Sequence, residues 1–165
     1  MLQYRDATRS DLNKIVEIYN STVASRMVTA DTDPVTTESR IKWFDDHSAE
    51  RYPLWIIEDK DHQVAGWLSF QAFYGRPAYA ATAEISIYLD EKYRGKGYGK
   101  AVLAYAIAQA PALGIKTLLG FIFAHNDASI KLFRYFGFED WATLPDIAVL
   151  DEQERSLKIL GKRVA

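Results

Sequence analysis

No cysteine occurs in the 165 residues of this chain. Disulfides, thiolate metal sites and a cysteine nucleophile are therefore excluded, and the composition is consistent with a cytoplasmic location. No apolar run reaches the ~18 residues that a membrane-spanning helix needs. The opening Met1-Leu2-Gln3-Tyr4-Arg5-Asp6 has no apolar h-region, so no secretory signal is expected. Neither sign of charge dominates: 20 Lys and Arg stand against 22 Asp and Glu, a net charge of −2. That balance argues against a general nucleic-acid footprint. His47, His62 and His125 stand apart without ligand spacing, so no metal is expected. The Gly-x-x-x-x-Gly-Lys-Ser/Thr pattern of a nucleoside-triphosphate loop is also missing.

The length fits one domain over residues 1–165. A chain of this size buries roughly 70% of its extended surface, enough for a true core. Gln3 to Ala7 reads as a first strand. Thr8-x-x-Asp11 resembles a capping box ahead of Leu12, Ile15, Val16, Ile18 and Tyr19 at helical spacing. Ser21 to Val35 reads as a loop, and Thr36 or Thr37 caps a second helix carrying Ile41, Trp43 and Phe44. Leu54 to Glu58 and Val64 to Ala72 read as strands of a hairpin turning at Asp59-Lys60-Asp61-His62. Thr82 to Leu89 alternates as a strand. Tyr98 to Leu113 is the main helix, with a kink or early stop expected at Pro111. Lys116 to Phe123 is a buried strand, and Asp127 to Phe136 a short helix ended by Gly137. Phe138 to Ala142 and Ile147 to Leu150 look extended. Arg155 to Val164 closes the chain as a strand after an Asp151-Glu152-Gln153-Glu154 turn. Strands and helices in this order give a sheet covered by helices on both faces.

The richest segment is Tyr93-Arg94-Gly95-Lys96-Gly97-Tyr98-Gly99-Lys100. It follows a strand and opens into a helix. The first N–H groups of a helix lack internal partners, and the helix dipole favours negative charge there. Glycines let the backbone close on a phosphate without Cβ obstruction. The spacing of Gly95, Gly97 and Gly99 does not fit the dinucleotide fingerprint. A phosphorylated cofactor of another kind is expected.

Arg94-Gly95-Lys96-Gly97-Tyr98-Gly99 resembles the Arg/Gln-x-x-Gly-x-Gly/Ala pyrophosphate loop of GNAT acyltransferases. The segment His125-Asn126-Asp127-Ala128-Ser129 through Gly137-Phe138 looks like that family's Asn-x-x-Ser-helix-Gly-Phe element. Thr82-Ala83-Glu84-Ile85-Ser86-Ile87-Tyr88 is similar to a strand of its phosphinothricin acetyltransferase-like branch. The resemblance covers essentially the whole chain. It implies an α/β (α+β) fold: a mixed, mostly antiparallel sheet of six to seven strands with helices on both faces. It also implies an acetyl-CoA-dependent N-acetyltransferase acting on a small amine, such as phosphinothricin or methionine sulfoximine, and a homodimer. An acetyltransferase for a protein or another amine, and a CoA-binding sensor without turnover, are the alternatives.

Within that resemblance, residues Arg94 to Lys100 hold the pyrophosphate, with charge from Arg94, Lys96 and Lys100. The backbone of Ile87, Tyr88 and Leu89 pairs with the pantetheine arm, and Asn126 contacts it while capping a helix. Glu84 shares a strand face with Ser86 and Tyr88. A carboxylate mid-strand is costly to bury unless paired. It is either a general base with a raised pKa or a structural ion-pair partner. The family's usual acid position carries Phe133, which has no proton to give, and Tyr135 lies roughly 200° further round a helix. Acceptor contacts are expected from the loops Arg26 to Thr32, including Met27, and Phe73 to Tyr79, including Arg76 and Tyr79. Arg76 is either a clamp for a carboxylate or phosphinate, or a solvated surface side chain. The tryptophans Trp43, Trp55, Trp67 and Trp141 read as core or interface.

Overall fold

The computed structural model describes residues 1–165. Strand β1 (Gln3–Asp6) leads into helix α1 (Leu12–Val23) through a 3₁₀ turn. Asp11 caps that turn, its carboxylate accepting the Thr8 N–H at 2.7 Å. A second 3₁₀ turn and α2 (Ile41–Asp45) follow, then β2 (Leu54–Glu58), β3 (Val64–Ala72) and β4 (Thr82–Leu89). Helix α3 (Tyr98–Gln109), β5 (Thr117–Phe123), α4 (Asp127–Tyr135), β6 (Glu139–Leu150) and β7 (Gln153–Arg163) complete the chain. No helix is long and apolar enough to cross a membrane.

The strands form one seven-stranded sheet in the order β1-β2-β3-β4-β5-β7-β6. Only the β4–β5 pair is parallel. Period-two alternation along β4 divides its side chains between two layers. Ala83 and Ile85 pack with Val102, Leu103 and Ala106 of α3 and with Ile130 and Phe133 of α4. Burying each Val or Leu of that layer is worth about 1.5–3 kcal/mol. The opposite layer packs Ile15 and Ile18 of α1 on Leu54, Ile56 and Trp67, with Tyr88 against them. Glu84 and Ser86 therefore face α1 and α2.

Several expected boundaries move. Helix α1 runs to Val23, past the loop start expected at Ser21, because the Ser21 and Thr22 hydroxyls bond back to Ile18 and Tyr19 carbonyls at 2.6 and 2.7 Å. These local bonds accompany the helix instead of ending it. Helix α3 stops at Gln109, and Pro111 opens a 3₁₀ turn closed by Gly114 at φ 75°. The two extended stretches after Phe138 are one strand, β6, broken by register shifts that include the segment with Pro145. An edge strand tolerates the missing proline donor there. The final turn has two residues, Asp151 and Glu152, at φ 51° and 66°. Gln153 and Glu154, expected in that turn, pair instead with Leu150 and Val149, as a two-residue hairpin requires.

Candidate active site

Strands β4 and β5 pair over only three rungs, ending at Glu84 opposite Leu119. Beyond that rung β5 pairs with β7, and β4 pairs with β3 alone. The backbone edge of β4 from Ile85 to Leu89 is thus left without a strand partner on its β5 side. Unpaired strand edges invite another extended chain. A cavity of about 600 Å3 fills the fork. Ile87, Tyr88, Leu89 and Arg94 line one wall, Phe121, Phe123 and Phe133 the other, and Met27 and Thr29 its rim.

Glu84 lies at the apex of this fork and borders the cavity. Its carboxylate forms no salt bridge, although Arg40 borders the same recess behind it. Burial alone pushes its pKa above the ordinary carboxylate range. Across the strand pair, Gln71 is directly opposite Glu84 and Ser69 opposite Ser86. Ser69 Oγ is buried without a hydrogen-bond partner. Leaving such a group unpaired costs about 1–3 kcal/mol.

The glycine-rich loop sits where β4 runs into α3. Gly95 and Gly97 have φ of 71° and 81°, and no atom lies near where a Cβ would project from either. Gly97 is the residue before α3. Open space over glycine backbone at a helix start suits a diphosphate. Arg94 donates to Leu89 O at 3.0 Å and to Ser21 Oγ at 2.7 Å, tying the loop to β4 and α1. Lys96 is exposed beside it, and Tyr98 tilts against Tyr93. Lys100 lies over the Tyr135 ring at 4.2 Å. Gly99 borders the cavity but serves packing as well, since a Cβ there would approach Leu132 at 3.2 Å.

Asn126 joins the two halves of the site. Its side-chain oxygen accepts the Ser129 N–H at 3.2 Å, capping α4, and its amide donates to Met27 O at 3.2 Å. His125 bonds the neighbouring Arg26 O at 2.9 Å. Arg26, at φ 57°, is further held by Asp151 at 3.0 Å. The loop after α1 is therefore fastened to the helix and hairpin on the far side of the fork. Phe133 lines the cavity, and its ring occupies the space a side chain at Gly120 would need, at 2.6 Å. Tyr135 points outward and is 67% exposed. Neither side chain therefore offers an acid to the cavity from α4.

Sequence reasoning and structure part at the acceptor side. Arg76 and Tyr79 lie on the exposed turn after β3, and neither borders the two cavities that Glu84 borders. Trp67 is core as expected, with Trp43 packed against it, and the two also wall a recess behind Glu84 together with Arg40 and Gln71. Arg40 and Gln71 were not legible as site residues, because only the β3–β4 register and the packing of α2 bring them beside Glu84.

Comparison with known proteins agrees with this geometry. The model of the Acetyltransferase (GNAT) family matches residues 15–138. The chain is 53% identical to the Bacillus subtilis "Putative phosphinothricin acetyltransferase YwnH" over 161 residues, 98% of each chain. It is 33% identical to an L-methionine sulfoximine/L-methionine sulfone acetyltransferase of Pseudomonas aeruginosa, covering 87% of this chain and 83% of that one. A GNAT phosphinothricin acetyltransferase from Sinorhizobium meliloti, solved with acetyl-CoA, superposes with a TM-score of 0.91 at 29% identity, covering 98% and 88% of the two chains. The forked sheet, the open glycine loop and the free edge of β4 fit that cosubstrate. The chain belongs to the GNAT acetyltransferase family, as a phosphinothricin acetyltransferase-like N-acetyltransferase that uses acetyl-CoA.

Proposed function

We propose that the chain acetylates the amine of a free amino acid or a close analogue, of the kind represented by phosphinothricin or methionine sulfoximine. The observation that carries this reading is the unpaired, half-buried Glu84 at the apex of the fork. When bound, acetyl-CoA supplies the thioester carbon that the amine attacks. An ammonium has no lone pair, so Glu84 must first take a proton from it, directly or through water. The raised pKa makes Glu84 a stronger base than an ordinary carboxylate.

The cofactor roles follow the same geometry. Residues Arg94 to Lys100 hold the diphosphate, with Gly95 and Gly97 giving backbone access and Lys96 and Lys100 adding charge. The free edge of Ile87, Tyr88 and Leu89 hydrogen-bonds the extended pantetheine arm, and Asn126 borders its path. Met27 forms the acceptor rim. Arg76 and Tyr79, on the exposed turn after β3, would meet an acceptor only where that turn faces the cavity of a second copy. Exposed apolar side chains along the edge strand β6 support a homodimer: Trp141, Ile147 and Val149 are 47%, 57% and 62% exposed. A cytoplasmic location belongs to the same proposal.

Release of free CoA from acetyl-CoA tests the reading. The panel contains phosphinothricin, methionine sulfoximine, the common amino acids and short peptides. Turnover with the amino-acid analogues is expected. Turnover with peptides alone, or with none of the amines, contradicts the proposal.

A further inference from the structure

Behind Glu84, on the α1 and α2 side of the sheet, lies a second recess of about 180 Å3. Its floor is polar. Gln71, Glu84 and Ser86 border it, and their side chains take no part in the protein's hydrogen-bond network. Its walls are aromatic: Trp43 meets Trp67 edge-on at 5.3 Å, and Trp67 stacks on Tyr88 at 4.6 Å. At its rim stands Arg40, 28% exposed, with its guanidinium 5.0 Å from the Tyr19 ring centre. One nitrogen of Arg40 donates to Asp31 at 2.9 Å. A guanidinium carries further donors in a fixed fork, and these have no protein acceptor here.

Base, apolar walls and cation are thus arranged around one small space. We propose that this recess takes the acceptor's side chain, and that Arg40 and Gln71 select an oxygen-bearing group at its far end. The fitting class is an amino acid with a short apolar stem ending in a sulfone, sulfoximine, phosphinate or carboxylate. The amine remains beside Glu84, which borders both the recess and the larger cavity. The stem packs along the recess wall that Trp43 and Trp67 form together. Arg40 is thereby a specificity-determining residue, its charge facing the one end of the acceptor that an aliphatic side chain lacks. This inference rests on the proposed acetylation of a small amine.

The test compares kcat/KM for methionine sulfone and phosphinothricin with that for norleucine, at saturating acetyl-CoA. Arg40→Met keeps most of the apolar stem and removes the charge. The preference for the oxygen-bearing acceptors over norleucine should fall by at least about tenfold, carried mainly by KM. Gln71→Leu leaves the Arg40–Asp31 pair intact and should lower the same preference. An equal loss for every acceptor in both variants would overturn the proposal, because Arg40 would then only hold the loop and water would fill the recess. If the wild-type protein releases no CoA with any of these amines, the reading of function fails separately. The recess is then tested by titrating methionine sulfone against tryptophan fluorescence in the presence of CoA. A saturable change that is largely lost in Trp43→Phe is expected, and its absence in the wild type contradicts the assignment.

Discussion

Glu84 and Leu119 form the last rung that joins β4 to β5. One residue further the strands part, and the cavity begins. The carboxylate is therefore held by a paired backbone on both sides, while its neighbours along β4 keep a free edge. A single rung thus fixes the position of the Glu84 carboxylate relative to the free edge of β4.

The glycine loop gives the first prediction. Gly97→Val places a β-branched side chain at φ 81° in space that is otherwise open. It should weaken acetyl-CoA binding by about tenfold or more, roughly 1.4 kcal/mol, through obstruction of the backbone. Calorimetry on the folded variant measures this, and unchanged affinity would remove the loop from the cofactor site. Gly99 is a less clean probe, because a side chain there presses on Leu132.

Phe133 gives the second. If no protein acid acts at that position, Phe133→Tyr should leave kcat within about tenfold, roughly 1.4 kcal/mol. A far larger gain would show that protonation of the leaving group limits the native enzyme. Gly120→Ala is the companion packing test. The new Cβ would meet the Phe133 ring at 2.6 Å. Overpacking of this kind costs about 1–3 kcal/mol, and a lowered melting temperature is the expected readout.

Asn126 gives the third. Asn126→Ala removes the cap on Ser129 and the bond to Met27 O together. Loss of the cap alone should cost about 1 kcal/mol of stability. Loosening of the Met27 loop should also raise the acceptor KM. Asn126→Asp can still accept from Ser129 but cannot donate to Met27, so it should recover the stability without the acceptor KM. Recovery of both would assign Asn126 to capping alone.

Much of this architecture is written locally. Strands β2, β3 and β4 have the limits expected from their apolar runs, because Pro53 and the Asp59-to-Gln63 turn, with His62 at φ 61°, bound them sharply. The glycine-rich loop was equally legible as a turn into a helix, since three glycines and three basic residues between a strand and a helix form a contiguous signal. Glu84 stood out as a carboxylate in an alternating apolar strand, but that it forms no salt bridge shows only in three dimensions. The acceptor side was harder to read. Arg40 and Gln71 lie 31 residues apart in sequence and meet Glu84 only through sheet register and the packing of α2. The two extended stretches after Phe138 are one strand in β6, because an edge position tolerates Pro145 between them.

The unpaired state of Glu84 also has a stability consequence. Its folded pKa lies above the unfolded value, so the folded protein holds the proton more tightly. Stability is then lost as pH rises from the unfolded pKa, ~4.3, through the higher folded one. Glu84→Gln cannot ionise and escapes this loss. Near pH 7 its melting temperature should equal or exceed that of the wild type, and the advantage should vanish in acid. A marked fall in melting temperature near neutrality would mean that Glu84 has a stabilising partner after all.

The most direct measurement is kcat against pH for the wild type and Glu84→Gln, with an acceptor the wild type turns over and saturating acetyl-CoA. The wild-type rate should rise with pH through a pKa above that of an ordinary carboxylate, as Glu84 ionises. Glu84→Gln should lose about 10²–10⁴-fold in kcat with acetyl-CoA affinity nearly unchanged, and the acid limb should move or disappear. A variant that keeps both the wild-type rate and the wild-type acid limb would contradict Glu84 as the base.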